Sequence, residues 1–285
     1  MTSVVDHITT RQVTASTAAP ATASRILLGG VPVDLHDQGG ALAAIRARSV
    51  ATEGKPLGVV SVNLDHLHWF GHGTALNGNF GIHEGSAAPV GWLHLIDGAP
   101  IAEQARRATG RHWPRLAGSD LVGPILAAAE IDGVSVGFLG GAPSTQDELR
   151  TELAERYPNL QVAGMWAPSR EELLDTDAAD ALAADIAAAD VGILVVCLGK
   201  PRQELWIDHY GVASGARVLL AFGAVVDFLA GRVVRCPDWV AEHGLEWAWR
   251  LALEPKRLAH RYLVNGPGAY RMLRLSPAVV SSPPR

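Results

Sequence analysis

The sequence predicts an α/β fold in which a mainly parallel sheet is flanked by helices and followed by a helical C-terminal appendage. Apolar runs and helical patterns alternate through most of the chain, which is typical of parallel sheets. Residues 191–198 and 218–222 are rich in Val, Leu and Ile without polar alternation, as expected for strands buried on both faces. Between them a helical pattern opens at Pro201, a residue that a first helical turn tolerates. We therefore expect residues 191–235 to form the centre of the fold.

The earlier elements follow from short apolar runs and helical periodicity. Residues 1–24 are rich in Thr, Ala and Ser without periodicity, which predicts a disordered tail. Residues 25–35 form an apolar run that glycines and a proline interrupt, which predicts a hairpin-like start of the fold. The other predicted strands are residues 57–62, 92–96, 134–139 and 160–163, and the predicted helices are residues 41–50, 99–109, 121–130, 143–156 and 170–189.

Two stretches between these elements carry further local signals. Residues 66–91 contain four histidines among many glycines, and we expect a long loop there with at most one helix. Ser119 or Asp120 precedes the helix at 121–130, and either side chain is expected to cap it.

The last part of the chain differs from the core. After residue 235 the pattern becomes wholly helical, with tryptophans among basic residues. Residues 276–285 are rich in Pro and Ser and are expected to be frayed. We therefore divide the chain into a core at residues 25–235 and a helical appendage at residues 236–275.

Charge is spread unevenly over a chain whose net charge is −5. Residues 231–275 contain eight Lys and Arg residues against four Asp and Glu, whereas the rest of the chain contains 16 against 25. A basic C-terminal region on an acidic body favours a polyanionic partner or an anionic surface at that end. The acidic remainder argues against nucleic acid as the partner.

Cysteine usage and hydropathy predict a cytoplasmic protein. Cys197 and Cys236 are the only cysteines, too few for a disulfide framework or a metal cage, so a reducing compartment fits. Cys197 lies in a predicted core strand, where a small buried thiol is expected. We find no apolar run of about 18 residues and no basic segment followed by an apolar one near Met1, so neither a transmembrane helix nor a secretory signal is expected.

Polar residues at the ends of predicted strands mark the candidate site. Asp97 follows an apolar strand and precedes a glycine and a helix, so it can take a proton from an attacking hydroxyl or only cap that helix. Ser61 and Asn63 end the preceding strand and can hydrogen-bond a sugar or a phosphate, although Asn is also a common turn former. Asp65 is a rival base. The carboxyl ends of parallel strands open onto a shared crevice, where these residues would face a ligand.

Three glycine-containing loops add candidates at the same edge. In LGKPRQE, Gln203 can offer amide groups to a nucleotide or a phosphate, and in FGAVVDF, Asp227 can accept from a ribose hydroxyl or a base N–H, or cap a helix. In FLGGAP, the backbone N–H groups of Gly140 and Gly141 can hold an anion at a helix N-terminus. None of these loops matches G-x-G-x-x-G, which weighs against a nicotinamide cofactor.

The residues give little support for a metal centre. The histidines do not form a His-x-x-x-His pair with a Glu between them, and His66 and His68 would lie on opposite faces of a strand. The Asp-x-Asp at residues 175–177 has the form of a metal–diphosphate site, but it lies in a polar helical stretch and a solvated face is favoured. We therefore expect no metal and no cofactor.

The appendage combines arginines with tryptophans and leucines. Such helices can lie at a membrane interface, fold over a crevice and pair guanidinium groups with phosphates, or pack as ordinary amphipathic helices. The residues alone leave these three roles open. The arginines are Arg250, Arg257, Arg261, Arg271 and Arg274.

A series of motifs resembles the WecG/TagA/CpsF family of bacterial glycosyltransferases. In order, they are LIDGAP, AGSDL, VGFLGGAP, YPNLQVAG, VCLGKPRQELWI and GAVVDFLAGRVVRCPDWVAEHGLEWAWRLALEPKRLAHRYL. The likeness covers roughly residues 25–274. It implies a Rossmann-like core and a metal-independent, inverting transfer of a sugar from a nucleoside diphosphate sugar, commonly UDP-linked. The acceptor it implies is a polyprenyl-diphosphate-linked saccharide at the cytoplasmic face of the membrane.

The resemblance also implies roles for individual residues. Asp97 matches the family's proposed base, Gln203 matches the active-site Gln, and Asp227 matches a position near the uridine. Ser61, where many relatives have Thr, and Asn63 match residues that line the sugar pocket. Arg250 and Arg257 match cations that close over the site and engage the diphosphate. His260 stands at a position often held by Arg, with Arg261 beside it, so the resemblance leaves open which of the two supplies the third cation.

Two features depart from the family pattern. Ala99 and Pro100 open the helix after Asp97 where relatives often carry an apolar residue and a glycine, so the floor of the pocket differs. The loop at residues 66–91 is longer than expected and can reshape acceptor selection.

The function expected from the sequence is therefore a UDP-sugar-dependent glycosyltransferase of bacterial surface polysaccharide synthesis, peripheral at the inner face of the plasma membrane through its C-terminal segment. A Rossmann-type oxidoreductase and a non-catalytic protein that binds a sugar nucleotide or a membrane surface are the alternatives. The sugar, the acceptor, the linkage and the oligomeric state stay open.

Overall fold

A computed structural model describes residues 25–81, 88–232, 240, 246–276 and 278–281, and it has the predicted α/β architecture. Six parallel strands form one sheet in the order β4-β3-β8-β7-β5-β6. The strands are β3 (Leu57–Val62), β4 (Gly91–Ile96), β5 (Val136–Gly140), β6 (Val162–Trp166), β7 (Ile193–Cys197) and β8 (Val218–Ala221). The mainly parallel sheet expected from the sequence is thus confirmed.

In the described part of the core, eight helices lie between or after the strands. They are α1 (Gln38–Val50), α2 (Leu64–Phe70), α3 (Ala99–Thr109), α4 (Gly118–Asp132), α5 (Pro143–Arg156), α6 (Thr176–Ala188), α7 (Arg202–Tyr210) and α8 (Val225–Leu229). Two groups of buried side chains, one on each face of the sheet, form the core.

The strands in the middle of the sheet agree with the prediction for residues 191–235. β7 and β8 are buried along their whole length and pair with each other in the middle of the sheet. Their continuous apolar sequence fits this place, because helices cover both faces of a central parallel strand. The connecting helix α7 begins at Arg202, directly after Pro201.

A second, antiparallel sheet corrects one expectation. β1 (Arg25–Leu28) pairs with β2 (Val31–Asp34), as the hairpin prediction required, and on its other side with β9 (Val279–Ser281). We expected residues 276–285 to be frayed, but this part of them returns to the start of the fold. A strand of three residues has too little sequence pattern to be recognised alone.

Two predicted helix starts were wrong. α4 begins at Gly118 after the N-cap residue Ala117, so Ser119 and Asp120 lie inside its first turn and do not cap it. The helix predicted at 170–189 begins only at Thr176, because the side chain of Asp175 accepts a hydrogen bond from Ala178 N and caps it there. Asp175 is therefore the N-cap of this helix, and residues 175–177 are all exposed, as the solvated face favoured from the sequence required.

The C-terminal part is helical, as predicted, and packs beside the site. It comprises α9 (Glu246–Leu253), α10 (Pro255–Ala259), a π-helical segment (His260–Asn265) and α11 (Gly266–Leu275). α11 packs against α2 and α3, which follow the carboxyl ends of β3 and β4. Among the residues described, no helix has the length and apolarity needed to cross a membrane. The tail at 1–24 lies outside the described residues, and the division near residue 235 stays a prediction.

Candidate active site

Asn63 and Asp97 meet at the carboxyl ends of β3 and β4. The parallel register pairs Val62 with Ile96, so the next residue of each strand lies side by side. Asn63 Nδ2 donates to Asp97 Oδ2 over 3.0 Å, and both residues are half-buried. Two residues that the sequence singled out independently are thus joined by a hydrogen bond.

Asn63 is also the N-cap of α2 and contacts the loop after β7. Its Oδ1 accepts from Asp65 N over 3.2 Å and from Lys200 Nζ over 3.0 Å. Its own backbone N–H donates to His66 Nδ1 over 3.1 Å. Asn63 therefore joins β3, β4, α2 and the GKPRQE loop at one point.

A buried hydrogen-bonded chain lies beneath this point. Because His66 Nδ1 accepts from Asn63, its ring proton lies on Nε2, which donates to Glu204 Oε1 over 3.2 Å. Both side chains are fully buried. Burial lowers the pKa of His66 well below its usual value and raises the pKa of Glu204. The imidazole is therefore neutral, and its two hydrogen bonds, to Asn63 N and Glu204 Oε1, place it as a support for Asn63.

Gln203 uses both of its amide hydrogens within the protein. Its Nε2 donates to Glu204 Oε1 over 2.8 Å and to Ala221 O over 2.9 Å. Its Oε1 is buried and has no partner within the described part of the chain. A Cβ at Gly223 would lie 2.8 Å from that oxygen. Gln203 thus presents an acceptor to its surroundings, where the sequence allowed either a donor or an acceptor.

The appendage reaches the site through Arg261. Arg261 Nε lies 3.2 Å from Asp65 Oδ2, and the Asp65 side chain is 9% exposed. Asp65, the rival base, is therefore already engaged with a guanidinium group.

Burial and the nearby charge of Arg261 lower the pKa of Lys200 to about 8, although Asp65, Glu204 and Asp97 oppose this effect.

Asp97 lies on the wall between two adjoining cavities. The polar cavity has a volume of about 480 Å³, and the residues that line it alone include Ser61, Ser119, Lys200, Arg202, Gln203 and His260. The apolar cavity has a volume of about 500 Å³, and the residues that line it alone include Leu64, Ala99, Pro100, Tyr262, Pro267 and Tyr270. The residues that line both are Asn63, Asp65, Asp97, Arg261 and Asn265. A group in either cavity can therefore approach the same carboxylate.

The N-terminus of α4 opens into the polar cavity. Ala117, Gly118 and Ser119 line it, and the N-cap Ala117 has no side chain that could accept from the first helical N–H groups. A helix start without a side-chain cap favours an anion at that place. Gly118 is required by packing, since a Cβ there would lie 2.6 Å from the Phe222 ring.

The predicted site residues divide into two groups. Asp97, Asn63, Gln203 and Arg261 come together as described, and Ser61 lines the polar cavity while its hydroxyl donates to Leu116 O over 2.7 Å. The other predicted residues do not line either cavity, or lie in part outside the described residues.

Gly140 and Gly141 end β5 away from the two cavities. Both have positive φ, and a Cβ at Gly140 would lie 2.5 Å from Cys197 O, so packing alone accounts for glycine there. Asp227 lies in α8 and lines neither cavity. Arg250 and Arg257 belong to α9 and α10, but their side chains lie outside the described part. The ligand contacts predicted for these five residues stay predictions.

The sequence placed the LGKPRQE loop at the crevice but did not show that Lys200, His66 and Glu204 belong to one buried hydrogen-bonded chain. The Lys200–Asn63 and His66–Glu204 pairs are 137 and 138 positions apart, and Glu204 lies in a polar stretch that carries no local signal for burial. Over the described ranges, no group of three or more His, Cys, Asp or Glu side chains is placed to hold a metal ion. A larger cavity of about 600 Å³ beside Trp206 contains none of the predicted site residues.

The chain is similar to known proteins over most of its length. The profile of the glycosyl transferase WecG/TagA/CpsF family matches residues 26–277. A curated relative from Bacillus subtilis (strain 168), N-acetylglucosaminyldiphosphoundecaprenol N-acetyl-beta-D-mannosaminyltransferase, is 29% identical over 163 residues. That alignment covers 57% of this chain and 61% of the relative. The chain therefore spans about three fifths of the relative's length.

Proposed function

The chain belongs to the WecG/TagA/CpsF family of glycosyltransferases, and from this premise we propose that it transfers a sugar from a UDP-sugar to a polyprenyl-diphosphate-linked saccharide. The transfer inverts the anomeric centre and needs no metal ion. The observation that carries the proposal is the place of Asp97, which lies on the wall shared by a polar and an apolar cavity. Membership of a transferase family excludes the oxidoreductase alternative.

In the proposed reaction Asp97 is the general base. An acceptor hydroxyl held in the apolar cavity gives its proton to the Asp97 carboxylate, and its oxygen attacks the anomeric carbon of the sugar. The bond from that carbon to the diphosphate oxygen breaks on the opposite face, and UDP leaves with the electron pair. A single displacement of this kind inverts the configuration at the anomeric carbon.

The polar cavity suits the UDP part of the sugar donor. Arg202 and Arg261 bring positive charge to its wall, and the start of α4 adds N–H groups. Charge develops on the diphosphate as it leaves, so preorganised cations and N–H donors stabilise the transition state. These groups would do what a divalent ion does in other transferases, and Arg250 and Arg257 are proposed to join them from the appendage.

The apolar cavity suits the lipid-linked acceptor. Its wall combines Ala99, Pro100, Tyr262 and Tyr270 with the cation Arg115. An apolar surface beside a cation fits a molecule that carries an isoprenoid chain and a diphosphate. The name of the Bacillus subtilis relative describes an acceptor of this class, a diphosphoundecaprenol-linked N-acetylglucosamine.

The proposed location is the inner face of the cytoplasmic membrane. The acceptor is anchored in that membrane, and the appendage beside the apolar cavity carries exposed apolar side chains, among them Leu263 and Val264. Exposed basic residues, Lys256 and Arg271, lie on the same part of the chain. A surface of this composition favours peripheral binding to anionic lipid.

Asp97→Asn tests the central assignment. The amide cannot take the proton of the acceptor hydroxyl, so we expect sugar transfer to fall by at least about a hundredfold, the lower range of general-base contributions. Binding of UDP, measured by calorimetry, should change little because Asp97 lies on the acceptor side of the polar cavity. Asp185→Asn, on the exposed face of α6, is the matched control.

Two outcomes would contradict the proposal. Turnover of Asp97→Asn at the rate of the unchanged protein would show that Asp97 is not the base. A large loss of transfer in EDTA that only a divalent ion restores would show that the cationic wall does not replace a metal.

A further inference from the structure

We propose that Lys200 is a positioning residue for the transfer: it fixes the orientation of the Asn63 amide and, through that amide, the carboxylate of Asp97. The proposal rests on the function proposed above, in which Asp97 is the base. Two hydrogen bonds of 3.0 Å support the proposal. One joins Lys200 Nζ to Asn63 Oδ1, and the other joins Asn63 Nδ2 to Asp97 Oδ2.

The donors around Asn63 determine which way its amide points. An ammonium group and a backbone N–H can only donate, so the two groups near Oδ1, Lys200 Nζ and Asp65 N, require the oxygen on their side. An ionised carboxylate can only accept, so Asp97 requires the NH2 group on the other side. All three contacts favour the same orientation of the amide.

The opposite orientation would damage the site. It would place Asn63 Oδ1 against the Asp97 carboxylate and direct the NH2 group at the Lys200 ammonium and the Asp65 N–H. Without the ammonium, the weaker contact to Asp65 N, at 3.2 Å, alone holds the oxygen on its side. The carboxylate of Asp97 would then spend part of its time without the hydrogen bond that fixes its Oδ2.

Lys200 is placed for this role by the fold. It lies three residues after the end of β7 and reaches Asn63, 137 positions earlier in the chain, across the end of β8. The charged groups that face its ammonium are Asp65 from α2, Asp97 from the end of β4, Glu204 from α7 and Arg261 from the π-helical segment. The hydrogen bond seen for the ammonium itself goes to Asn63 rather than to one of these carboxylates.

A role in binding the leaving diphosphate is the competing explanation, because Lys200 also lines the polar cavity. The two roles predict different kinetics. A positioning residue changes kcat at saturating UDP-sugar, whereas a residue that binds the sugar donor in its ground state changes KM and the affinity for UDP. The two roles also differ in their dependence on Asn63. Loss of a positioning role lowers kcat only while the Asn63 amide is present, whereas loss of a diphosphate contact does not depend on that amide.

The test is a double-mutant cycle between Lys200→Met and Asn63→Ala. We expect Lys200→Met alone to lower kcat by about tenfold to a hundredfold, the range for a hydrogen bond to a charged group. KM for the UDP-sugar and the affinity for UDP should change less than about threefold. In the Asn63→Ala background the same substitution should have almost no further effect, because the amide through which it acts is gone. Lys200→Arg keeps a charged donor and should recover a large part of kcat.

Controls separate this proposal from loss of the fold and from failure of the proposed function. Lys55→Met removes another ammonium that donates to a backbone carbonyl, Ala88 O, near the amino end of β3, and should leave kcat unchanged. Melting temperatures are measured first. If Lys200→Met does not fold, Lys200→Ala, whose side chain is too short to reach Asn63, carries the same cycle.

Three results would overturn the inference. An undiminished kcat for Lys200→Met would do so, as would a raised KM with normal kcat, and so would a loss that persists fully in the Asn63→Ala background. Each of these leaves the function proposed above intact provided that Asp97→Asn is inactive. An active Asp97→Asn would instead remove the premise itself.

Discussion

Individual side chains of the site have most of their hydrogen-bonding capacity engaged within the protein. Gln203 donates both amide hydrogens internally, and Asn63 uses its oxygen and its NH2 group on residues of three different segments. Groups held in this way lose little entropy when a substrate binds, so the site is preorganised. The same engagement makes the site sensitive to small steric changes.

Gly223→Ala tests this sensitivity. The new Cβ would lie 2.8 Å from Gln203 Oε1, and Gln203 cannot move without loss of its bonds to Glu204 and Ala221. We expect transfer to fall by about tenfold, with a loss of about 1–3 kcal/mol in the free energy of unfolding, as is typical of overpacking. Steady-state kinetics and denaturant unfolding measure the two effects.

Gly39→Ala is the control for this substitution. Gly39 is exposed, and its nearest neighbour, Asp37 Oδ1, would lie 3.7 Å from a Cβ, which is an ordinary contact. Equal activity of Gly223→Ala and Gly39→Ala would show that Gln203 need not keep its present position.

At the scale of elements, the described C-terminal residues contact the core at two places. The π-helical segment brings Arg261 to Asp65 on α2, and β9 pairs with β1 at the start of the fold. Ile26 and Leu28 of β1 are fully buried, so this strand belongs to the core. The chain is therefore attached to the core after the appendage, at β9, as well as beside the site, at Arg261.

Removal of residues 277–285 tests the contribution of β9. The truncation leaves α11 complete but deprives β1 of its second neighbour, so a few backbone hydrogen bonds are lost. At about 0.5–1.5 kcal/mol for each bond, we expect the free energy of unfolding to fall by about 1–3 kcal/mol. Thermal and denaturant unfolding provide the measurement. Removal of residues 282–285 keeps β9 and should not alter stability; if both truncations behave alike, the strand contributes nothing.

The whole molecule has an acidic body and a C-terminal part that is basic and apolar on its surface. Leu263 and Val264 are 61% and 62% exposed, and the exposed cations Lys256, Arg271 and Arg274 lie on neighbouring helices. Water disfavours such apolar side chains, whereas an anionic bilayer can accept both them and the cations. A bilayer in this position would also bring the apolar cavity close to a membrane-anchored acceptor.

Vesicle sedimentation with the double variant Leu263→Asn and Val264→Asn examines this surface. Each substitution removes about 1–2 kcal/mol of the favourable free energy that the apolar side chain gains when it enters lipid. Binding to vesicles with anionic phospholipid should therefore weaken by at least about tenfold. Ile131→Asn is the matched control, because Ile131 is 78% exposed at the end of α4 in the acidic body. A control variant that loses as much binding, or a double variant that loses none, would show that this surface is not the membrane contact.

Most of the strands and helices could be predicted from the sequence, because they depend on local patterns of apolar and polar residues. Continuous Val, Leu and Ile runs gave the central strands β7 and β8, and α3 and α5 have the predicted bounds. The errors lie where a signal is short or ambiguous, as in the three-residue β9 and the start of α6. Local patterns also identified Asn63, Asp97 and Gln203, since each directly follows a strand or begins a helix.

By itself, the sequence determined the fold class, the candidate base and the family to which the chain belongs. The tertiary structure alone decided which residues meet: the register of β3 and β4 bonds Asn63 to Asp97, and the order of the strands brings Lys200 to the same amide. The reason is physical. Helical and strand periodicity depend on neighbours a few residues apart, whereas contacts between residues 34 or 137 positions apart depend on how the strands pair across the sheet.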